Sequence, residues 1–141
     1  MTPSEYQNPI LCADYSDPDI VRVGDDFFMV SSSFNHVPAL PILHSTDLDN
    51  WTIINHVMDE LPLPGYDRYQ PGKGVWAPSI RWHDGKLWVC FSTPDEGIFI
   101  CHTEDPWGEW SAPHCLREAR GWIDPCPFWD DNGQAWLVHA F

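Results

Sequence analysis

Three stretches of this chain align on a proline: "SDPDIVRVGDDFFMVSSSF" from Ser16, "WAPSIRWHDGKLWVCFSTP" from Trp76 and "IDPCPFWDDNGQAWLVHAF" from Ile123. In each, a residue pair precedes the Pro, a short strand-like run follows, a turn rich in Asp and Gly comes next, and an aromatic-rich run closes the segment. The turns are Gly24-Asp25-Asp26, Asp84-Gly85 and Asp131-Asn132-Gly133; Asp-Gly and Asn-Gly between apolar runs are the strongest short-range signals of a β-hairpin. Behind the first two hairpins stands a second matched pair, "LPILHSTDLDNWTIINH" and "GIFICHTEDPWGEWSAPH". Both run apolar strand, His, Ser or Thr, a polar loop with Asp, then Trp and another strand. The repeat therefore covers four strands. Units of about fifty residues with four antiparallel strands are the signature of propeller blades, and a β-sandwich is the all-β alternative.

Pro18 to Pro78 is a step of 60 positions and Pro78 to Pro125 a step of 47. The expected architecture is all-β, about two and a half blades of four-stranded antiparallel sheet over residues 1–141, with blades starting near 16, 76 and 123 and the third incomplete. A propeller closes with at least four blades. The sequence reaches Phe141 inside the strand-like run "WLVHAF", so the chain is not expected to be a complete fold by itself. Two apolar faces are predicted to lie open, one carrying Phe28, Val30 and Phe34 and the other Trp129, Trp136 and Val138. A complementary propeller chain or further copies of this one would cover them.

The balance of 21 acidic against 7 basic side chains, a net charge of −14, opposes nucleic acid and anionic membranes as partners. No apolar run approaches the roughly 20 residues of a membrane span, and "MTPSEYQNPI" has no secretion-signal pattern, so a cytoplasmic location is expected. Cys12, Cys90, Cys101, Cys115 and Cys126 are odd in number and form no Cys-x-x-Cys pair, which reads as reduced residues in or near the core. The His residues are scattered without metal-ligand spacing, and no metal or organic cofactor is implied. Nine Trp in 141 residues serve either a β-core or a sugar-stacking surface.

In a propeller the first strand of each blade lies nearest the axis, and its entrance looks into the central cavity. The aligned residues before the Pro are Asp17, Ala77 and Asp124. Taken singly, each Asp-Pro is a common turn dipeptide. Taken in register, they deliver two carboxylates to one mouth of the channel with Trp76 beside them, and acids gathered in an aromatic-lined pocket point to function.

"NPILCADYSDPDIVRVGDDFFMVSSSF", "PILHSTDLDNW", "GVWAPSIRWHDGKLWVCFS" and "WIDPCPFWDDNGQAWLVHAF" together resemble family 43 glycoside hydrolases, five-bladed propellers acting on β-xylosides and α-L-arabinofuranosides. The resemblance covers nearly the whole chain. It implies inverting hydrolysis, with Asp17 as the general base that activates water and Asp124 as the aspartate that orients the general acid and keeps it protonated. Base and acid in an inverting glycosidase stand roughly 6.5–9.5 Å apart, a separation that different blades around one axis supply. The family's acid is a Glu on a later blade, and none of Glu5, Glu60, Glu96, Glu104, Glu109 and Glu118 occupies a blade entrance. Trp76 and Phe34 resemble walls of the subsite for the non-reducing sugar. His36 and His44 could line the same pocket, or be hydrogen-bonded structural residues. Trp51, Trp107 and Trp110 are expected in outer strands, packing between blades. Asp25, Asp26, Asp130 and Asp131 lie in hairpin turns, where solvation is the simplest account. The implied function is hydrolysis of xylose- or arabinose-containing oligosaccharides; the alternative is a truncated propeller that binds sugar or self-assembles without turnover.

Overall fold

The structure is a computed structural model, and it describes residues 6–35, 37–68 and 70–141. All regular structure among them is β-strand. The first sheet is a meander of β1 (Asp19–Val23), β2 (Asp26–Val30), β3 (Ala39–Ser45) and β4 (Thr52–Met58) in that order. The second repeats it with β5 (Trp76–His83), β6 (Lys86–Thr93), β7 (Gly97–Thr103) and β8 (His114–Glu118). The third is the hairpin of β9 (Ile123–Trp129) and β10 (Ala135–Ala140). Every pairing is antiparallel. Each sheet is built from consecutive strands only, as propeller blades are and the two interleaved sheets of a Greek-key sandwich are not.

The turn residues account for the hairpins. Asp84 and Gly85 both take left-handed backbone, φ 49° and 74°, as the type I′ turn joining β5 to β6 demands. Between β9 and β10, the Asp130 carboxylate accepts from the amides of Asn132 and Gln134, both at 2.9 Å, and from the Trp136 indole at 3.0 Å. Those donors, the indole first, hold its pKa below the usual carboxylate value. This acid closes a turn. In the first blade Asp26 is bonded to the His44 ring at 2.7 Å, which makes His44 a structural residue.

β3 and β7, the third strands of their sheets, are buried along nearly their whole length. The continuous core joins Phe28, Val30, Leu40 and Ile42 of the first sheet to Ile80, Leu87, Val89 and Phe91 of the second. Phe28 and Val30 were expected on an open face; they instead lie on the face that meets the second blade. Trp129 is likewise turned inward, stacked on His83 with centroids 4.3 Å apart and tilted against Trp88 at 5.7 Å. The apolar side chains left open on the hairpin are Phe128, Trp136 and Val138, at 55%, 56% and 62% exposure. On the far side of the first blade Ile20, Leu48 and Ile53 are exposed. Beside them lies a shallow hollow of about 410 Å³ lined by Ile10, Tyr15, Met29 and Trp51 among others.

Trp51, Trp107 and Trp110 sit in loops, not in the outer strands where they were expected. Trp107 still packs between blades, edge-on to Phe28 at 5.6 Å and to His44 at 5.3 Å. The Asn55 amide latches the same loop by donating to the carbonyls of Pro106 at 3.1 Å and Gly108 at 2.7 Å. Cys90 and Cys101 are core residues, whereas Cys12, in the segment before the first strand, is exposed.

Candidate active site

The first strands of the three sheets stand side by side, and two contacts fix each pair's direction. Between the β1 segment and β5, Asp17 is joined to Ala77 through the Ser32 hydroxyl, which accepts from the Ala77 amide at 2.8 Å and donates to the Asp17 carboxylate at 2.7 Å, and the Asp19 carboxylate accepts from the Ile80 amide at 2.9 Å. Between β5 and β9, Ser79 donates its hydroxyl to the Pro125 carbonyl at 2.7 Å, and Arg81 Nη2 lies 3.0 Å from Cys126 Sγ. In both cases the contacts advance along the two chains together, so β1, β5 and β9 run parallel. Asp17, Ala77 and Asp124 are therefore at the same end of three neighbouring blades.

All three residues have left-handed backbone, φ 50°, 34° and 54°. A residue before Pro ordinarily prefers extended geometry. Non-glycine residues in this region are uncommon, and such strain collects at functional sites. Both Asp side chains are exposed. The Asp17 carboxylate is not free to swing, since its Oδ2 accepts from the Ser32 hydroxyl at 2.7 Å. Trp76 opens β5, its indole N–H donating to the Gly72 carbonyl at 3.1 Å, and Phe34 meets its ring edge-on at 6.0 Å and 77°. Asp17, Ser32, Ala77, Trp76 and Phe34 thus form one contiguous group, with Asp124 one strand further on. His36 lies outside the described residues.

The segment leading into β5 makes a second wall. Gly74 has φ 115°, and a Cβ there would collide with the carbonyl oxygen of Ser33 and crowd that of Phe34, so only glycine permits this close approach. Between the two segments is a cleft of about 250 Å³ lined by Phe34, Asn35, Tyr66, Gln70 and Lys73 among others. Neither Asp17, Asp124 nor Trp76 lines it. Its lysine and phenol are already engaged. Lys73 is 2.6 Å from Asp95, which Arg120 also approaches at 3.1 Å, and together they hold the Asp95 pKa below its usual value. The Tyr66 hydroxyl donates to Glu96 at 3.0 Å; burial, then the Glu96 acceptor and its charge, push its pKa well above that of an ordinary phenol.

At the axis, Asp19 receives Arg81 Nη1 at 2.5 Å, a tie between the first and second blades that sequence reading missed. Burial works against the Arg81 charge, but Asp19 outweighs it and raises the pKa of the guanidinium. No group of three or more His, Cys, Asp or Glu among the described residues is arranged to hold a metal.

Propeller blades whose inner strands present exposed carboxylates next to aromatic rings form the layout of a carbohydrate-active site. The comparisons with known proteins place it more closely. The profile of the glycosyl hydrolases family 43 matches residues 6–141. A putative beta-xylosidase of Xylanibacter ruminicola is 41% identical over 133 residues, covering 94% of this chain and 24% of that protein. A xylosidase/arabinosidase of Butyrivibrio fibrisolvens is 42% identical over 137 residues, covering 93% of this chain and 26% of that one. The crystal structure of the GH43 BlXynB protein from Bacillus licheniformis superposes with a TM-score of 0.86 at 31% identity, over 96% of this chain and 29% of its own. The chain belongs to the glycosyl hydrolases of family 43, a family of glycosidases, and spans about a quarter of the length of these curated relatives. Its fold is accordingly part of a β-propeller.

Proposed function

We propose that this chain supplies the general base and one wall of the active site in an inverting glycosidase acting on xylose- or arabinose-containing oligosaccharides. The observation that carries the reading is the shared left-handed backbone at Asp17 and Asp124, at the same end of parallel inner strands. The names of the relatives, xylosidase and arabinosidase, support the substrate class. Asp17, with Oδ2 held and Oδ1 open, takes the proton of the attacking water. Trp76 and Phe34 offer apolar ring surface to the sugar, and His36 is proposed as a further substrate contact. Asp124 orients the acid and favours its protonated form by like-charge repulsion. The acid itself is a Glu from a later blade, contributed by a longer polypeptide or a complementary chain. The same partner covers the open faces. No cofactor takes part, and the enzyme acts in the cytoplasm on short oligosaccharides.

The test is the anomeric configuration of the first product, followed by proton NMR with the assembled enzyme that contains this chain and a β-xyloside or α-L-arabinofuranoside substrate. Inversion is expected. Retention would remove Asp17 from the role of base, and sugar binding without turnover would favour a binding module.

A further inference from the structure

Ser32 is 2% exposed, and its hydroxyl stands between two of the three left-handed residues at the blade entrances. The Ala77 amide can only donate, so at 2.8 Å the Ser32 oxygen must accept from it. The hydroxyl proton is then directed elsewhere, and the Asp17 carboxylate, which at 2.7 Å can only accept while ionised, receives it. The backbone of Ser32 is itself pinned, its amide donating to the Ser16 carbonyl at 3.0 Å. The polarity of this relay is therefore determined by its two ends.

The equivalent serine of the second blade does not do this. Ser92, sixty positions on and aligned with Ser32, places its hydroxyl 3.5 Å from the Trp76 carbonyl, and the second blade reaches the third through Ser79 and the Pro125 carbonyl instead. The relay belongs to Asp17 and is not a general device of the repeat. We infer that Ser32 is a positioning residue for Asp17: it holds Oδ2 toward the second blade so that Oδ1 alone is presented to the water. Because the same oxygen holds the Ala77 amide, it also fixes the distance from Asp17 to the strand that carries Trp76. The inference rests on the reading of Asp17 as base.

The experiment compares Ser32→Thr with Ser32→Val in the assembled enzyme, since the two side chains share a shape and differ in the hydroxyl. A hydrogen bond to a charged group separates them by roughly 10- to 100-fold. That difference is expected in kcat, with KM within about twofold because the relay acts on the attacking water rather than on sugar binding. Ser32→Ala, which needs no added space, is expected to show the Val behaviour if the β-branched pair is poorly folded. Equal kcat for Thr and Val, or for Ala and the parent, overturns the inference, as does a loss carried by KM. Asp17→Asn in the same assay separates the two readings. If Asp17→Asn is inactive while Thr and Val are equal, Ser32 alone loses its role; if Asp17→Asn turns over normally, the base assignment falls and the positioning role falls with it.

Discussion

Asp17 and Asp124 each stand in left-handed backbone directly before a proline, the neighbour that, with the register of the repeat, marks them in the sequence. Proline argues for extended geometry in the preceding residue, and the structure has left-handed residues at all three aligned positions. Asp tolerates this conformation better than most residues, and Ala77 is held there by the bond from its amide to Ser32. Ser32 gave no signal of its own, since a serine within "SSS" has no periodicity and its partner lies 45 positions away. Gly74 tests how closely the two walls must approach. Gly74→Ala is expected to destabilise the protein by about 1–3 kcal/mol through its strained φ and the collision with the Ser33 carbonyl. Gly72→Ala, with φ 71° and open space around the added carbon, should cost only about 1 kcal/mol. Urea titration of both variants decides it, and equal losses would show that the approach at Gly74 is not tight.

The hairpins were readable element by element from Asp-Gly and Asn-Gly, whereas the side of each strand that meets a neighbouring blade was not. Alternation distinguishes two faces, but strands pressed between blades are apolar on both, so nothing local said that Phe28 and Val30 face the second sheet or that Trp129 stacks inward on His83. Cys90 in β6 and Cys101 in β7 sit at that buried centre, and burial pushes both thiols up to about 12 from the ordinary 9.0. Between those two pH values the unfolded chain loses thiol protons that the folded chain keeps. Stability must then fall as pH rises above about 9. The Cys90→Ala/Cys101→Ala variant is expected to lose less stability than the parent between pH 9 and 11, measured by thermal melts followed by circular dichroism, and parallel pH slopes would count against this account.

The molecule as a whole is three sheets of a propeller with its two outer faces uncovered in this chain. Four-strand periodicity made the architecture legible, but not the direction in which the faces open. Phe128, Trp136 and Val138 on one side, and Ile20, Leu48 and Ile53 on the other, are the surfaces on which a neighbour would seat. Trp136→Lys with Val138→Lys is expected to weaken association of the isolated chain, seen as a lower average mass by light scattering at micromolar concentration; an unchanged mass would place the contact elsewhere. The proposed role of Asp17 as the base of a hydrolase rests on the repeated blade entrance. It is tested most directly by kcat for Asp17→Asn in the assembled enzyme on an aryl β-xyloside or α-L-arabinofuranoside. An amide cannot take the proton from water, so turnover should fall beyond the roughly 10²–10⁴-fold typical of an acid–base residue while the thermal midpoint stays near the parent's. Turnover equal to the parent's would remove Asp17 from that role.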